Sequence, residues 1–329
     1  MLDAVAPWTA NSFRYALVMP NLVPPLLTTA AAAAYRERIL AAAGPNALAE
    51  FEPLMTLYLN EGINHADLRA GAADGVVAAV KFYPAGATTN SEHGGESIIQ
   101  FAPLLDLMVE LDLPLLVHAE STDPTVDIFD REAVFLDRQL VPLTARYPEL
   151  RITVEHLSTA AGVDFVSSEV NVKGSITPHH LTCDRSHLLA NGLLPDLYCK
   201  PIINSAADRV ALANAALSGD PAFFLGTDSA PHPSSHKHSE QARPGIFNAP
   251  YALPVVAELF HSAGMLDRLE GFTSVHGAAH YGFAPSARKM RLTRLESESD
   301  PVSNIETSDG QTVTVFGVEE ARRWTVELL

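Results

Sequence analysis

The sequence predicts an α/β barrel of the TIM (β/α)8 type, formed as a single domain over residues 1–329 but without its first strand. Short apolar runs alternate with longer helical patterns along the whole chain, and seven such units follow one another. Of the 329 residues, 47% are hydrophobic, which is enough to bury a large core. Continuous apolar strands between helices are typical of a parallel sheet covered on both faces. A long series of βα units favours a barrel over an open doubly wound sheet.

The strands are predicted from runs that are rich in apolar, branched and aromatic residues. They lie at 15–20, 53–59, 77–83, 114–118, 152–156, 172–177 and 223–227. Helical patterns lie between them, including 29–43, 97–111, 131–147 and 206–218. An eight-stranded barrel needs one more βα unit. Its strand is best placed before the first predicted helix, because residues 2–12 read as a helix with no strand before it. We therefore expect an N-terminally incomplete barrel whose neighbouring strand edges are unpaired.

The last third of the chain is expected to close the domain. Apolar helical patterns occur at 251–263 and 269–281, and residues 285–312 are polar and aperiodic, which indicates a surface excursion. Residues 312–316 (TVTVF) predict a short terminal strand, and Trp324 predicts an anchor after it.

Charge and cysteine content exclude several classes of protein. The formal net charge of −17 disfavours nucleic acid and anionic membranes as partners. Cys183 and Cys199 are the only cysteines, without metal-binding spacing, so we expect inert thiols in a reducing compartment. No run of 18 apolar residues and no basic leader occur. A cytoplasmic protein is the expectation.

Chemically active side chains stand where the predicted strands end. Lys81, His118, His156 and Asp228 close four different strands, and the carboxyl ends of parallel barrel strands share one face. Histidine nitrogens and an aspartate oxygen are suitable zinc ligands. Glu155 precedes His156 and is expected to point the opposite way, toward a helix. The sequence therefore predicts a metal site on this face.

Lys81 is the unusual member of this set. An ammonium group beside divalent cations would be repelled and desolvated. It fits the site if its amine has reacted with carbon dioxide, since the resulting carbamate is an anion that can bridge two metal ions.

Six segments carry a family resemblance. They are residues 19–25 (MPNLVPP), 81–90 (KFYPAGATTN), 114–120 (PLLVHAE), 154–157 (VEHL), 226–232 (GTDSAPH) and 245–250 (GIFNAP). Together they resemble the dihydroorotase family of amidohydrolases, most closely its single-function bacterial and fungal type. The likeness covers nearly the whole chain, and the motifs are long and specific.

The resemblance implies a two-zinc enzyme. Carbamylated Lys81 would bridge the two ions, His118 and His156 would hold one of them, and Asp228 would bind the other and act as the base. The implied reaction is the reversible cyclisation of N-carbamoyl-L-aspartate to L-dihydroorotate, a step of pyrimidine synthesis. The resemblance also implies a homodimer.

Substrate contacts follow from the same resemblance. Asn21 and His232 would contact the substrate carboxylate, and His118 would also face the substrate. Backbone groups near Lys200 and Pro244 would meet the ring amide, although Pro244 can offer only its carbonyl because it has no N–H. A further pair, Thr88 and Thr89, lies on a loop that resembles the family's mobile lid.

The sequence departs from the family at its front. The family's first strand carries a His-x-His pair followed by an arginine, and none of these precedes Met1 here. The second zinc ion would then keep only Lys81 and Asp228. Two other functions stay open: a related cyclic amidase such as a hydantoinase, and a non-catalytic homologue. A start assigned too far downstream would also explain the departure.

Overall fold

The computed structural model describes residues 1–44, 47 and 50–329. Its main feature is a parallel sheet of seven strands that lie side by side in chain order. The strands are β1 Tyr15–Val18, β2 Glu52–Tyr58, β3 Val77–Phe82, β4 Leu115–His118, β5 Ile152–Glu155, β6 Val172–Ile176 and β7 Phe223–Leu225. All seven predicted strands are confirmed, each to within two residues of its expected bounds.

The sheet curls around a cavity. The edge strands β1 and β7 both line this cavity, so the sheet forms most of a barrel. Over the described ranges, neither edge pairs with a further strand. The predicted barrel of seven strands in series is confirmed.

Helices fill the connections between strands. They are α1 Leu2–Ser12, α2 Thr29–Ala43, α3 His65–Ala73, α4 Ala102–Glu110, α5 Arg131–Phe135, α6 Val141–Arg146, α7 Ala160–Ser168, α8 Pro178–Thr182, α9 Arg185–Leu189, α10 Ala206–Leu217, α11 Ser234–Lys237, α12 Ala252–Ser262, α13 His276–His280 and α14 Val318–Ala321. Short 3₁₀ or π-helical turns lie at Ile98–Phe101, Leu136–Leu140, Pro195–Leu197, Leu266–Arg268 and Gly271–Val275. Within the described part of the chain, no helix combines the length and the apolar character needed to span a membrane.

Local sequence signals explain where several helices begin. The side chains of Thr28, Thr159 and Ser205 accept hydrogen bonds from backbone N–H groups in the first turns of α2, α7 and α10. These N-caps satisfy donors that a helix leaves unpaired. Helix α2 therefore starts and ends where the sequence predicts.

The core lies on the outer face of the sheet, between strands and helices. Strands β2 to β5 are almost entirely buried. Phe82 of β3 packs against Phe101 and Phe135, with ring centroids 6.3 Å apart in both pairs. This packing holds β3 in place and leaves Lys81, its neighbour, on the inner face.

The end of α13 and the segment after it close the sheet at the ends where its strands begin. Thr153 Oγ1 lies 2.9 Å from His280 Nε2 and 3.0 Å from the Tyr281 hydroxyl. The Tyr15 ring at the start of β1 lies 5.0 Å from the Phe283 ring. The polar residues predicted for the site therefore lie at the opposite end of the sheet, where the strands end.

The C-terminal region differs from its prediction. Residues 285–312 are not aperiodic, because they contain β8 Met290–Arg294 and β9 Asn304–Glu306. Strand β8 pairs antiparallel with β11 Trp324–Leu328, and β9 pairs with β10 Thr312–Thr314. The period-two pattern of residues 290–294 (MRLTR) is short and half-exposed, so it gave a weak strand signal. A strand is confirmed within residues 312–316, but it is not the terminal one, because β11 follows it. The Trp324 anchor is confirmed, since its indole donates to Glu258 Oε2 at 2.7 Å.

A buried carboxylate fixes the loop that follows β5. Glu132 of α5 is 3% exposed. Its Oε2 accepts from Ser158 N and Oγ, both at 2.8 Å, and its Oε1 accepts from Thr159 N at 3.0 Å and Oγ1 at 2.5 Å. Because His156 stands just before this loop, Glu132 helps to set its position.

Replacing Glu132 should destabilise the fold more than replacing an exposed glutamate does. Each buried donor left without a partner costs about 1–3 kcal/mol, so we expect Glu132→Ala to lower the free energy of unfolding by about 3 kcal/mol or more. Glu132→Gln keeps one acceptor oxygen and should lose less. Urea unfolding measures both, with the exposed Glu61→Ala as control, for which we expect a change within about 0.5 kcal/mol. Equal losses for Glu132→Ala and Glu61→Ala would contradict this assignment.

Candidate active site

The ends of the strands bring the predicted site residues to one cavity of about 1190 Å³. Lys81 lies on β3, His118 ends β4, His156 follows β5 and Asp228 follows β7. All ten residues predicted for the site line this cavity: Asn21, Lys81, Thr88, Thr89, His118, His156, Lys200, Asp228, His232 and Pro244. The cavity also runs along β1 and β7, between the two edges of the sheet.

Two of these residues have an unusual backbone conformation. His156 has φ 47° and Asp228 has φ 41°, in the left-handed region that residues other than glycine seldom adopt. Such conformations cluster at functional sites, where the surrounding structure holds them. Here they turn the chain sharply at the ends of β5 and β7.

The sharp turn at His156 overturns the prediction for Glu155. Glu155 does not face a helix: its Oε2 contacts Lys81 Nζ inside the cavity. Strict alternation along an extended strand would send Glu155 and His156 to opposite faces. Because the chain leaves the extended conformation at His156, both side chains reach the cavity.

His118 and His156 form a buried pair. His118 Nδ1 lies 3.1 Å from His156 Nε2, and the two residues are 1% and 5% exposed. Burial lowers the pKa of His118 and lowers that of His156 well below its ordinary value, with the neighbouring cations adding to the effect. Both rings are therefore neutral at pH 7, as metal ligands must be.

The pair fits a zinc ion. With Zn–N distances of about 2.0–2.1 Å, two nitrogens on a tetrahedral zinc ion lie about 3.3 Å apart, which is close to the 3.1 Å observed. His156 Nδ1 is buried and finds no hydrogen-bond partner among the described residues.

Asp228 and Lys81 complete the charged centre. Lys81 is 1% exposed, with its Nζ 4.9 Å from the centre of the Tyr83 ring. Burial raises the pKa of Asp228 to about 6, against the opposing effect of the Lys81 charge. A carboxyl group of this pKa can take up and release a proton near neutral pH.

Asn21 is held by the loop that carries Thr88 and Thr89. The Asn21 amide donates to Thr89 O at 2.8 Å, and the Asn90 amide donates to Asn21 O at 2.9 Å. The Tyr83 hydroxyl donates to Asn21 Oδ1 at 3.0 Å. Tyr83 is a residue that the sequence prediction missed, because a tyrosine at the end of an apolar strand looks like a core residue.

His232 and Pro244 lie together at the other side of the cavity. His232 Nε2 lies 3.1 Å from Pro244 O, and burial lowers the pKa of His232 to about 4. The next residue, Gly245, has φ 148°, and a Cβ there would lie 2.4 Å from Ala230 O. Only glycine fits this close approach, which explains the chain path at Pro244.

Lys237 is a second residue that the sequence did not reveal. It is 4% exposed, and its Nζ donates to Tyr198 O and Gly245 O, both at 2.7 Å. These carbonyls flank Lys200 and Pro244, so Lys237 ties together the two backbone segments that were predicted to meet the substrate amide.

Lys200 reaches the cavity but turns its ammonium group to Glu120. The Lys200 Nζ to Glu120 Oε1 distance is 2.7 Å. Burial alone would raise the pKa of the Glu120 carboxyl, but His118 and Lys200 hold it below its ordinary value. Glu120 is therefore ionised beside a predicted metal ligand.

His179, His180 and Cys199 form a separate buried cluster next to the cavity. Its members already have partners: His179 Nδ1 lies 3.1 Å from Asn248 Nδ2, His180 Nδ1 lies 2.8 Å from Thr177 Oγ1, and the Cys199 thiol donates to Pro201 O at 3.2 Å. His180 Nε2 also lies 3.2 Å from Pro201 O, so the cluster supports the segment that carries Lys200.

The fold and the site define an amidohydrolase of the barrel type. No protein-family model matches the chain. The dihydroorotase of Chelativorans sp. (strain BNC1) is 48% identical over 328 residues, which are 99% of this chain and 94% of that protein. The chain therefore belongs to the dihydroorotase family, hydrolases that act on a cyclic amide.

Solved structures agree with this placement. A dihydroorotase from Campylobacter jejuni is 32% identical with a TM-score of 0.88, covering 99% of this chain and 91% of that one. A dihydroorotase from Saccharomyces cerevisiae, in complex with 5-fluoroorotic acid, is 28% identical with a TM-score of 0.90, covering 99% and 93%. An L-hydantoinase from Arthrobacter aurescens is 18% identical with a TM-score of 0.74, covering 92% and 73%, a likeness of fold alone.

The two cysteines should be unreactive in the folded protein. Burial raises the pKa of Cys183 from 9.0 to about 11 and also raises that of Cys199. Since the thiolate is the reactive form, alkylation of Cys183 by iodoacetamide at pH 8 should be about 100-fold slower than in the urea-unfolded chain, and that of Cys199 slower still. Mass spectrometry of timed samples measures both rates. Labelling of native Cys199 at the unfolded rate would indicate an activated thiol instead.

Proposed function

We propose that this chain carries out the dihydroorotase reaction, the reversible cyclisation of N-carbamoyl-L-aspartate to L-dihydroorotate in pyrimidine synthesis, in the cavity at the strand ends. The observation that carries the proposal is the convergence of the ten predicted residues on that cavity, around the His118–His156 pair. A purely structural homologue would not need buried, neutral imidazoles beside a cationic lysine and a carboxyl group.

Zinc is the metal that this donor set favours. His118 and His156 would hold one ion, Asp228 would bind a second, and Lys81, once carbamylated, would bridge them. Bound zinc would supply a Lewis acid and lower the pKa of water. For Lys81 to become a carbamate its ammonium group must leave Glu155 and lose a proton, because only the free amine can add to carbon dioxide.

Side chains and backbone groups of the protein would transfer the proton and bind the substrate. Asp228 would take a proton from the attacking water and give it to the leaving amide nitrogen. Asn21 and His232 would contact the substrate carboxylate from the two sides of the cavity, and for this His232 must turn its Nε2–H from Pro244 O to the carboxylate. Backbone groups at Lys200 and the Pro244 carbonyl would hold the ring amide.

Closure of the cavity would involve the loop with Thr88 and Thr89. The hydrogen bonds from Asn21 to Thr89 and from Asn90 to Asn21 join this loop to the end of β1. A substrate carboxylate that bound Asn21 would compete with the first of them. We therefore infer that the loop rearranges with substrate, and that Thr88 and Thr89 then cover it.

The organisation of the molecule is part of the proposal. We infer one domain of residues 1–329, because one core cluster extends from Ala10 to Phe272. A cytoplasmic location fits the two free cysteines, and a homodimer is what membership of the family implies.

Removing Lys81 should remove metal binding together with activity. Loss of a residue that only hydrogen-bonds to a metal ligand lowers metal affinity by about 10–100-fold. A bridging ligand contributes more, so we expect Lys81→Ala to weaken zinc binding by about 100-fold or more. Chelator competition and elemental analysis measure this, with the exposed Lys289→Ala as the matched control. Wild-type zinc content in Lys81→Ala would show that the lysine is no ligand.

Replacing His232 should weaken the binding of dihydroorotate more than that of an uncharged cyclic imide. A hydrogen bond to a charged group contributes about 1.5–3 kcal/mol, so His232→Ala should raise KM for dihydroorotate about 10–100-fold and leave KM for an uncharged cyclic imide nearly unchanged. Exposed His236→Ala is the control. Equal effects on the two substrates would favour a hydantoinase-like activity.

A further inference from the structure

Glu120 is a buried carboxylate for which the reaction outlined above has no role. It is 2% exposed and stands two residues beyond the end of β4. Its Oε2 lies 3.0 Å from His118 Nε2, and its Oε1 lies 2.7 Å from Lys200 Nζ. Arg131 Nη1, at 3.7 Å from Oε1, is beyond hydrogen-bond distance. Each carboxylate oxygen therefore has one close partner.

The first contact decides which nitrogen of His118 carries the proton. An ionised carboxylate only accepts hydrogen bonds, so the neutral His118 ring must carry its proton on Nε2. Nδ1 then presents its lone pair to the place where His156 Nε2 also points, 3.1 Å away. A metal ligand needs this tautomer, because a protonated Nδ1 could not bind a metal ion.

The second contact fixes the carboxylate itself. The Lys200 ammonium group only donates, and it holds Glu120 Oε1 from the side of the cavity, which Lys200 lines. Lys200 belongs to the backbone segment that we propose meets the substrate amide. Glu120 thus joins that segment to the ring of His118.

We propose that Glu120 is a positioning residue that holds His118 as its Nε2–H tautomer, with Nδ1 directed to the metal, and that Lys200 holds Glu120 in place. The inference rests on the proposed function in taking His118 as a zinc ligand. The tautomer itself can be measured without any metal.

Glu120→Gln gives a sharp test, because glutamine has one acceptor oxygen where glutamate has two. The Lys200 ammonium group, as the charged donor, should take that oxygen. The glutamine NH₂ group then faces His118 Nε2, which must become an acceptor, so the proton moves to Nδ1. Long-range ¹H–¹⁵N NMR correlations of the metal-free protein, with ¹⁵N-labelled histidine at pH 7.5, should show this switch. An Nε2–H tautomer in Glu120→Gln would overturn the proposal.

A double variant should reverse the switch. In Glu120→Gln with Lys200→Met, the glutamine oxygen is free to accept from His118 Nε2–H, and the wild-type tautomer should return. The two substitutions together leave the net charge of the protein unchanged. The double variant therefore still allows the test if the single variant folds poorly. Lys200→Met alone should keep the wild-type tautomer, and so should Glu132→Gln, the control for loss of a buried carboxylate elsewhere. A double variant that stays Nδ1–H would overturn the role of Lys200.

Zinc affinity gives a second readout. Chelator competition should show about 10–100-fold weaker zinc binding in Glu120→Gln and recovery of most of that loss in the double variant. If the wild-type protein bound no zinc, the proposed function would fail, while the tautomer measurement would still decide the role of Glu120. If the tautomer switched but zinc affinity did not change, the positioning role would be overturned.

Discussion

The left-handed backbone at His156 and Asp228 is the constraint on which the rest of the site depends. A parallel strand presents alternate side chains to opposite faces, so an extended chain end can place only every second residue in the cavity. The positive φ at these two residues ends the extended conformation at the point where chemistry is needed. Such a conformation costs of order 1–3 kcal/mol, and the buried sheet and the Glu132 contacts after β5 hold it.

Charge balance inside the cavity follows from this geometry. The protein as a whole is acidic, with a net charge of −17, yet its cavity must accept a carboxylate-bearing substrate. The two lysines that were predicted for the site are each paired with one glutamate: Lys81 with Glu155, and Lys200 with Glu120. His118 and His156 are neutral because they are buried. Substrate and metal therefore enter a site in which both of these lysines already have a carboxylate partner, and Lys81 can become the proposed carbamate only after it leaves Glu155.

The sequence was sufficient for the sheet and for the positions of the main site residues. Apolar strands and polar residues at strand ends are local signals, and they predicted which side chains would share one face. Glu155 was placed on the wrong face because a positive φ at His156 leaves no mark in the sequence. Lys237 was missed for a different reason. Its partners are backbone carbonyls of two distant segments, and such contacts do not depend on the identity of the residues that offer them.

The polar residues around the cavity form a layer that holds the site residues in position. Lys237 holds backbone carbonyls close to Lys200 and Pro244. His180 contacts Pro201 O, and Glu120 connects Lys200 to His118. A buried polar group stabilises a structure only when its partners are in place, because an unpaired one costs more than a hydrogen bond gains. Each of these groups therefore has one favourable arrangement, and that arrangement places the substrate segment and the imidazole pair at a fixed distance. Rigidity of this kind is what a site needs when the metal ligands and the substrate contacts come from different strands.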